Sequence, residues 1–255
     1  MVKLNEFHLE DIKSSKHNSA FIQNSNYNIL ILKLFTLKDK KIEPFNLNLI
    51  IENNQIYHFD GDNFIKIDGY DALFEFLDPK INKILEIVAI LSNKIEKLEN
   101  RFYENQDLDN FNKIWFFNKS NLIKMSRVLS KADEAFKEFL KFYHSENQDL
   151  NIKFDDLLEH IQRSNKNTDY AIENLDTIYM VHSTYKDEKI QKSLYALTML
   201  SGIFLPLNFI VGFFGINTSS LPFSSGTGGT YYVVLILIIS ALIFAFVLHY
   251  IDRKS

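Results

Sequence analysis

Apolar and polar positions change their period along this chain, and each change marks a new kind of element. In the first part the pattern is short and strand-like. Residues 28–35 form an apolar run, Asn-Ile-Leu-Ile-Leu-Lys-Leu-Phe. Residues 47–52 and 55–59 flank Asn53-Asn54, a pair suited to the left-handed backbone of a tight hairpin turn. Asp60-Gly61-Asp62-Asn63 reads as a further turn and residues 64–67 as a short strand, with a short helix over 7–12. The expectation is a small α/β domain over residues 1–75.

After Asp68 the period lengthens to three and four. Asp78-Pro79 reads as a helix start, with Asp as cap and Pro in the first helical position. Ile81, Ile84, Leu85, Val88, Leu91, Ile95, Leu98 and Phe102 then form a long apolar stripe. Residues 105–108 interrupt it. A second helix is expected over 109–143, with Phe116, Ile123, Leu129, Ala132, Phe136, Phe139 and Leu140 as its apolar positions. Residues 144–149 contain no apolar residue and read as the turn that ends it; the two helices are expected to form an antiparallel hairpin. From 151 to 201 there is no Pro or Gly, and Leu157, Ile161, Ile172, Leu175, Tyr179, His182, Tyr185 and Leu194 keep helical spacing. One helix over about 152–214 follows, about 90 Å long. Helical hairpin and stalk occupy 76–193. A single stalk of this length is not expected to be stable alone, so self-association is expected.

The last quarter differs again. Between Leu194 and Ile251 there is no Asp, Glu, Lys or Arg. Two apolar runs of about 20 residues, joined by a Gly/Ser/Thr loop, read as a transmembrane hairpin over 194–251 with its loop at 215–230. Lys186, Lys189 and Lys192 precede the first span, and Arg253 and Lys254 follow the second. Positive charge at both ends puts both termini in the cytoplasm and the loop outside. The N-terminus has no apolar signal core. The localisation implied is integral to a bacterial-type inner membrane.

Within the first span, Leu194, Thr198, Ser201, Leu205, Asn208, Gly212 and Gly215 follow alternating steps of four and three. They form one face of small or polar groups interrupted by Leu. Such a face serves helix packing, because small residues let membrane helices approach closely. It also serves as a pore lining, with hydroxyl and amide oxygens for a hydrated cation and leucine rings as apolar constrictions. Both hold when identical helices surround an axis. Asn208, a neutral amide deep in lipid, needs a partner.

Composition narrows the rest. The net charge of -4 favours no nucleic-acid partner. With no Cys, disulfides, thiolate catalysis and Cys-ligated zinc are excluded. The seven His are scattered, none paired at helical metal-site spacing. His182 falls on the stalk stripe, where an oligomer would gather it into a ring. Glu134, Glu138, Glu146, Asp149, Asp155, Asp156 and Glu159 form an acidic stretch, read as a solvated face or as weak cytoplasmic cation binding. No nucleotide loop and no nucleophile–base motif is present, so an enzyme is not expected, and neither is a cofactor.

Gly215-Ile216-Asn217 resembles the Gly-Met-Asn motif of the CorA superfamily of divalent-cation transporters. Leu197-Thr198 and Ile203-Phe204-Leu205-Pro206-Leu207 are similar to the family's Leu-Thr…Ile-Phe-Leu-Pro-Leu run, and Phe209-Ile210-Val211-Gly212-Phe213-Phe214 to the stretch before its motif. Leu221-Pro222 resembles its Met-Pro, and His8-Leu9-Glu10-Asp11-Ile12 its lead into the cytoplasmic sheet. The resemblance covers nearly the whole chain, with a shorter amino-terminal domain.

It implies a CorA-like funnel: an α+β cytoplasmic domain, a helical hairpin, a stalk helix and a two-helix transmembrane hairpin. It implies a homopentamer in the bilayer whose first spans enclose a pore for Mg²⁺, Co²⁺, Ni²⁺ or Zn²⁺. Gly215, Ile216 and Asn217 would then form the selectivity site at the external mouth, Asn217 holding the metal through its hydration shell. Thr198, Ser201, Asn208 and Gly212 would line the pore, and Leu194, Leu197 and Leu205 would be hydrophobic gates. Ile216 in place of Met is shared with the ZntB-like branch, which brings in a proton-coupled zinc transporter as an alternative. The stretch 218–230 has no acid, and Phe223 stands where many magnesium members carry Glu. Met180 stands where some carry a metal-binding stalk Asp, with Asp176 and Asp187 nearby. These departures leave the ion open. The reading from another class is a transport-inactive, membrane-anchored coiled-coil scaffold.

Overall fold

The computed structural model describes residues 4–39, 41–104, 110–143, 147–215 and 228–252. In chain order the elements are α1 (Glu6–Lys13), β1 (Ala20–Gln23), β2 (Asn28–Lys38), β3 (Lys41–Glu52), β4 (Gln55–Phe59), β5 (Phe64–Ile67), α2 (Gly69–Glu104), α3 (Phe111–Phe142), α4 (Gln148–Phe214) and α5 (Gly229–Asp252). They divide into two compact units, Met1–His182 and Ser183–Ser255.

The first unit is built on a five-stranded antiparallel meander in the order β1-β2-β3-β4-β5. Asn53 and Asn54 take φ of 47° and 62°, the left-handed turn expected from the pair, and close β3 onto β4. β1 and residues 41–46 of β3 add strand that apolar patterning does not mark. β2 buries Ile29, Leu30, Ile31 and Leu32 completely. It is apolar on both sides because the sheet is covered on both faces. Leu30, Leu32 and Leu34 join the large core against α2 and α3, while Ile29 and Ile31 pack with Ile50, Phe59 and Ile12 of α1. Asn48 Nδ2 donates to the Ile12 carbonyl at 2.8 Å and Asn46 Nδ2 to that of Ser14 at 3.0 Å. These side chains satisfy carbonyls at the end of α1, where the helix has no internal donors left.

α2 begins at Gly69, well before Asp78-Pro79, and Pro79 lies inside it. The expected helix start is corrected by packing. Leu73 and Leu77 are fully buried and extend the stripe of Ile81 and Ile84 backwards. Each buried Leu contributes about 1.5–3 kcal/mol, which offsets the roughly 3 kcal/mol cost of an interior proline. Gly69 takes φ 84°, a conformation glycine enters without strain.

α3 buries Phe111, Leu122, Met125, Leu129, Ala132, Phe136 and Phe139. Phe116, expected in that stripe, is 68% exposed, and Leu122 rather than Ile123 occupies the core. The first unit's part of α4 buries Leu150, Phe154, Leu157, Ile161, Ser164, Thr168, Ala171, Leu175, Ile178 and His182. Their alternating steps of four and three are the seam of helices packed side by side. Ser164 and Thr168 donate to the carbonyls of His160 and Ser164 at 2.7 and 2.8 Å, so their hydroxyls are satisfied within the helix.

Candidate pore face and first-unit side-chain pairs

In the second unit α4 continues as helix through the uncharged run to Phe214, and α5 is the second apolar helix. Both are long and apolar enough to cross a membrane, and none of their apolar windows is buried. A soluble core helix of such composition would be enclosed by protein; these present their side chains outward.

Because residues 194–214 are helical, the expected face exists as a surface. At about 100° per residue, Leu194, Leu197, Thr198, Ser201, Leu205, Asn208 and Gly212 fall within an arc of about 100°. Leu194, Leu197 and Leu205 are 56%, 60% and 72% exposed. Thr198, Ser201, Asn208 and Gly212 are exposed as well. Thr198 donates its hydroxyl to the Leu194 carbonyl at 2.9 Å. Its proton is thereby used, and its lone pairs remain for an incoming donor such as a water on a metal ion. The amide of Asn208 offers a neutral oxygen of the same kind. Mg²⁺ parts with water reluctantly, so neutral oxygens that accept from its hydration shell suit it better than a cage of direct ligands.

The two glycines differ. A Cβ on Gly212 would meet nothing within 4 Å, whereas one on Gly215 would lie 3.2 Å from the Val211 carbonyl oxygen. Gly215 closes the helix, its N–H donating to that carbonyl at 2.9 Å. Ile216 and Asn217 lie outside the described residues, as do 218–227, Arg253 and Lys254.

In the first unit, Lys119 on α3 reaches both carboxylate oxygens of Asp176 on α4, at 2.6 and 2.8 Å. Beside it Trp115 stacks on Tyr179 with ring centroids 4.4 Å apart. A separation of 57 residues hides this pair from any local pattern. Asp176 is thus engaged within its own chain. His182 does not face an open seam: it is 2% exposed and stacks on Phe111 at 4.0 Å, with Phe102 at its edge. Its ring fills a core position that an apolar residue would otherwise take. In the acidic stretch, Glu134 pairs with Lys131, Asp156 lies 3.6 Å from His160 and Glu159 lies 3.8 Å from Arg163; Glu146 is outside the described residues. No group of three or more His, Asp or Glu among the described residues is placed to hold a metal ion.

At the sheet–α2 junction, burial pushes the His58 imidazole below its ordinary pKa, with Lys80 adding to the shift and Asp60 opposing it. The backbone N–H groups of Asn63 and Asp62 hold the Asp60 carboxyl below the usual carboxylate range.

The family model of the CorA-like Mg²⁺ transporter protein matches residues 60–253. The fold is similar to the complete CorA magnesium transporter from Methanocaldococcus jannaschii, at TM-score 0.79 and 18% identity over 99% of this chain and 84% of that one. It is also similar to full-length CmaX, at TM-score 0.73 and 11% identity over 99% and 83%. The cytoplasmic domain of ZntB from Vibrio parahaemolyticus RIMD 2210633 matches 72% of this chain and 80% of its own, at TM-score 0.54 and 14% identity. No curated protein matches the chain in sequence. The α+β domain, the long helix and the C-terminal apolar helix resemble those of the complete CorA structure.

Proposed function

This chain belongs to the CorA-like Mg²⁺ transporter family, whose members are membrane-embedded carriers of divalent metal ions and not enzymes, and from that premise we propose that it is a homopentameric channel. Five α4 helices surround a water-filled path, with α5 outside them. Both termini lie in the cytoplasm of a bacterial-type inner membrane, and the 215–230 loop faces out. Mg²⁺, Co²⁺, Ni²⁺ or Zn²⁺ is the cargo.

One observation carries the reading. The face of Thr198, Ser201, Asn208 and Gly212 is exposed on a helix that has no charge from Leu194 to Phe214. In lipid such polar groups need partners or water. A ring gives them both and turns the Leu194, Leu197 and Leu205 side chains into stacked apolar constrictions that gate by dewetting. At the outer end Gly215 permits the close turn, and Asn217 accepts from the waters of the arriving ion.

Purified protein in liposomes tests this metal by metal. Divalent flux that stops in Asn217→Ala is the expected result; flux undiminished in that variant removes the selectivity site. Ile216 favours one second reading, zinc transport driven by a proton gradient. It requires zinc flux that rises with an imposed pH gradient and exceeds magnesium flux.

A further inference from the structure

The outward face of α3 carries charge and aromatic surface that the protomer leaves unused. Between Asn110 and Ala132 there are Lys113, Lys119, Lys124, Arg127 and Lys131 and no Asp or Glu. Asp176 takes up Lys119, and Glu134 takes up Lys131. Lys113, Lys124 and Arg127 are exposed and have no ion-pair partner among the described residues. At about 100° per residue they share an arc of about 100° with Phe116 and Phe117, opposite the buried Phe111 and Leu122. Phe116 and Phe117 are 68% and 67% exposed. Two adjacent phenyl rings this open forgo the stabilisation that burial would supply.

The counterpart lies on α4 at the same height. Lys119 meets Asp176, and Ser126 donates to Asp169 at 2.7 Å. These contacts set the antiparallel register of the two helices. By that register Phe116 and Phe117 stand level with Met180, which is 68% exposed. Lys124 and Arg127 stand level with Glu173 and Asp169, both exposed. Rotation about an axis running along the helices brings α3 of one copy beside α4 of the next at equal height. A closed ring of heterologous contacts therefore needs complementary groups at matching levels, and here bases stand level with acids and aromatic rings with methionine.

We propose that the basic, aromatic face of α3 docks on the Met180, Glu173 and Asp169 face of α4 in a second copy of this chain, repeated around the ring. This rests on the pentamer proposed above and adds the cytoplasmic contact that closes it. Opposite charges at the contact fix its register and disfavour a symmetric α3–α3 pairing.

The absence of native Cys permits a direct test. Phe117→Cys and Met180→Cys are made in separate, differently tagged full-length chains, co-expressed, and treated in membranes with a short bismaleimide. A crosslink between the two tags can only be intermolecular. The expected product is the mixed dimer, well above either like-with-like dimer. No mixed dimer while native mass shows a pentamer overturns the docking and leaves the channel reading standing; no ring in native mass removes both. Lys124→Glu with Arg127→Glu should raise the concentration for half-dissociation at least about tenfold, with restoration by Glu173→Lys and Asp169→Lys. An unchanged value overturns the proposal. So does quenching of a fluorophore at Phe117→Cys by spin-labelled lipid, which would assign the face to the bilayer.

Discussion

His58 shows how one residue's surroundings become a pH dependence. Its folded pKa lies below the ordinary value because burial and Lys80 disfavour the charged ring. Above about pH 6.5 both folded and unfolded forms are neutral and nothing is lost. As pH falls below that value the unfolded chain binds the proton first, so stability declines until the folded pKa is passed. Thermal unfolding of the detergent-solubilised protein between pH 7.5 and about pH 5 should show this slope, and His58→Asn should flatten it. The glycines allow a second prediction. Gly212→Ala should leave protomer helicity by circular dichroism untouched, because its Cβ meets nothing within 4 Å. Any loss of flux or assembly in that variant then reports on a neighbouring copy or the pore. Asp176→Asn removes the charge that holds Lys119. With Asp176 41% exposed, the loss is at most about 1 kcal/mol in an unfolding curve.

Elements are decided by stripes longer than their local signals. Asp78-Pro79 has the chemistry of a helix start, yet α2 runs through it because Leu73 and Leu77 complete a core stripe. Leu77→Ala should therefore cost about 2–5 kcal/mol in a denaturant titration, comparable to a loss deep in the core. A loss within about 0.5 kcal/mol would mean that residues 69–78 carry no such weight. In α4 the buried seam carries small side chains at Ser164, Thr168 and Ala171. Ser164→Leu should overpack that point and destabilise by about 1–3 kcal/mol.

At the scale of the whole molecule, the two units answer to different solvents. The first buries its stripes within the protomer, whereas the second leaves both apolar helices uncovered. In the proposed channel, copies of the chain and lipid cover the exposed polar arc on α4. Leu205→Ser should raise resting ion leak through liposomes, since in the proposed channel it replaces one apolar ring with hydroxyls. A closed, non-leaking variant would take Leu205 out of the gate.

Much of this was legible in the order of residues. The Asn53-Asn54 hairpin, the two helices of the hairpin, the long α4 and the apolar α5 all rest on local rules: turn chemistry, a period of three and four, and a long run without charge up to Ile251. The face of Thr198, Ser201, Asn208 and Gly212 rests on spacing alone once the segment is helical. Tertiary structure alone decided the rest. It turned Phe116 outward, placed His182 against Phe111, carried α2 back to Gly69 and joined Lys119 to Asp176. Those outcomes depend on which atoms meet across distant stretches of chain. A pattern of neighbours records how a segment coils, whereas contact energy between segments selects the face it buries.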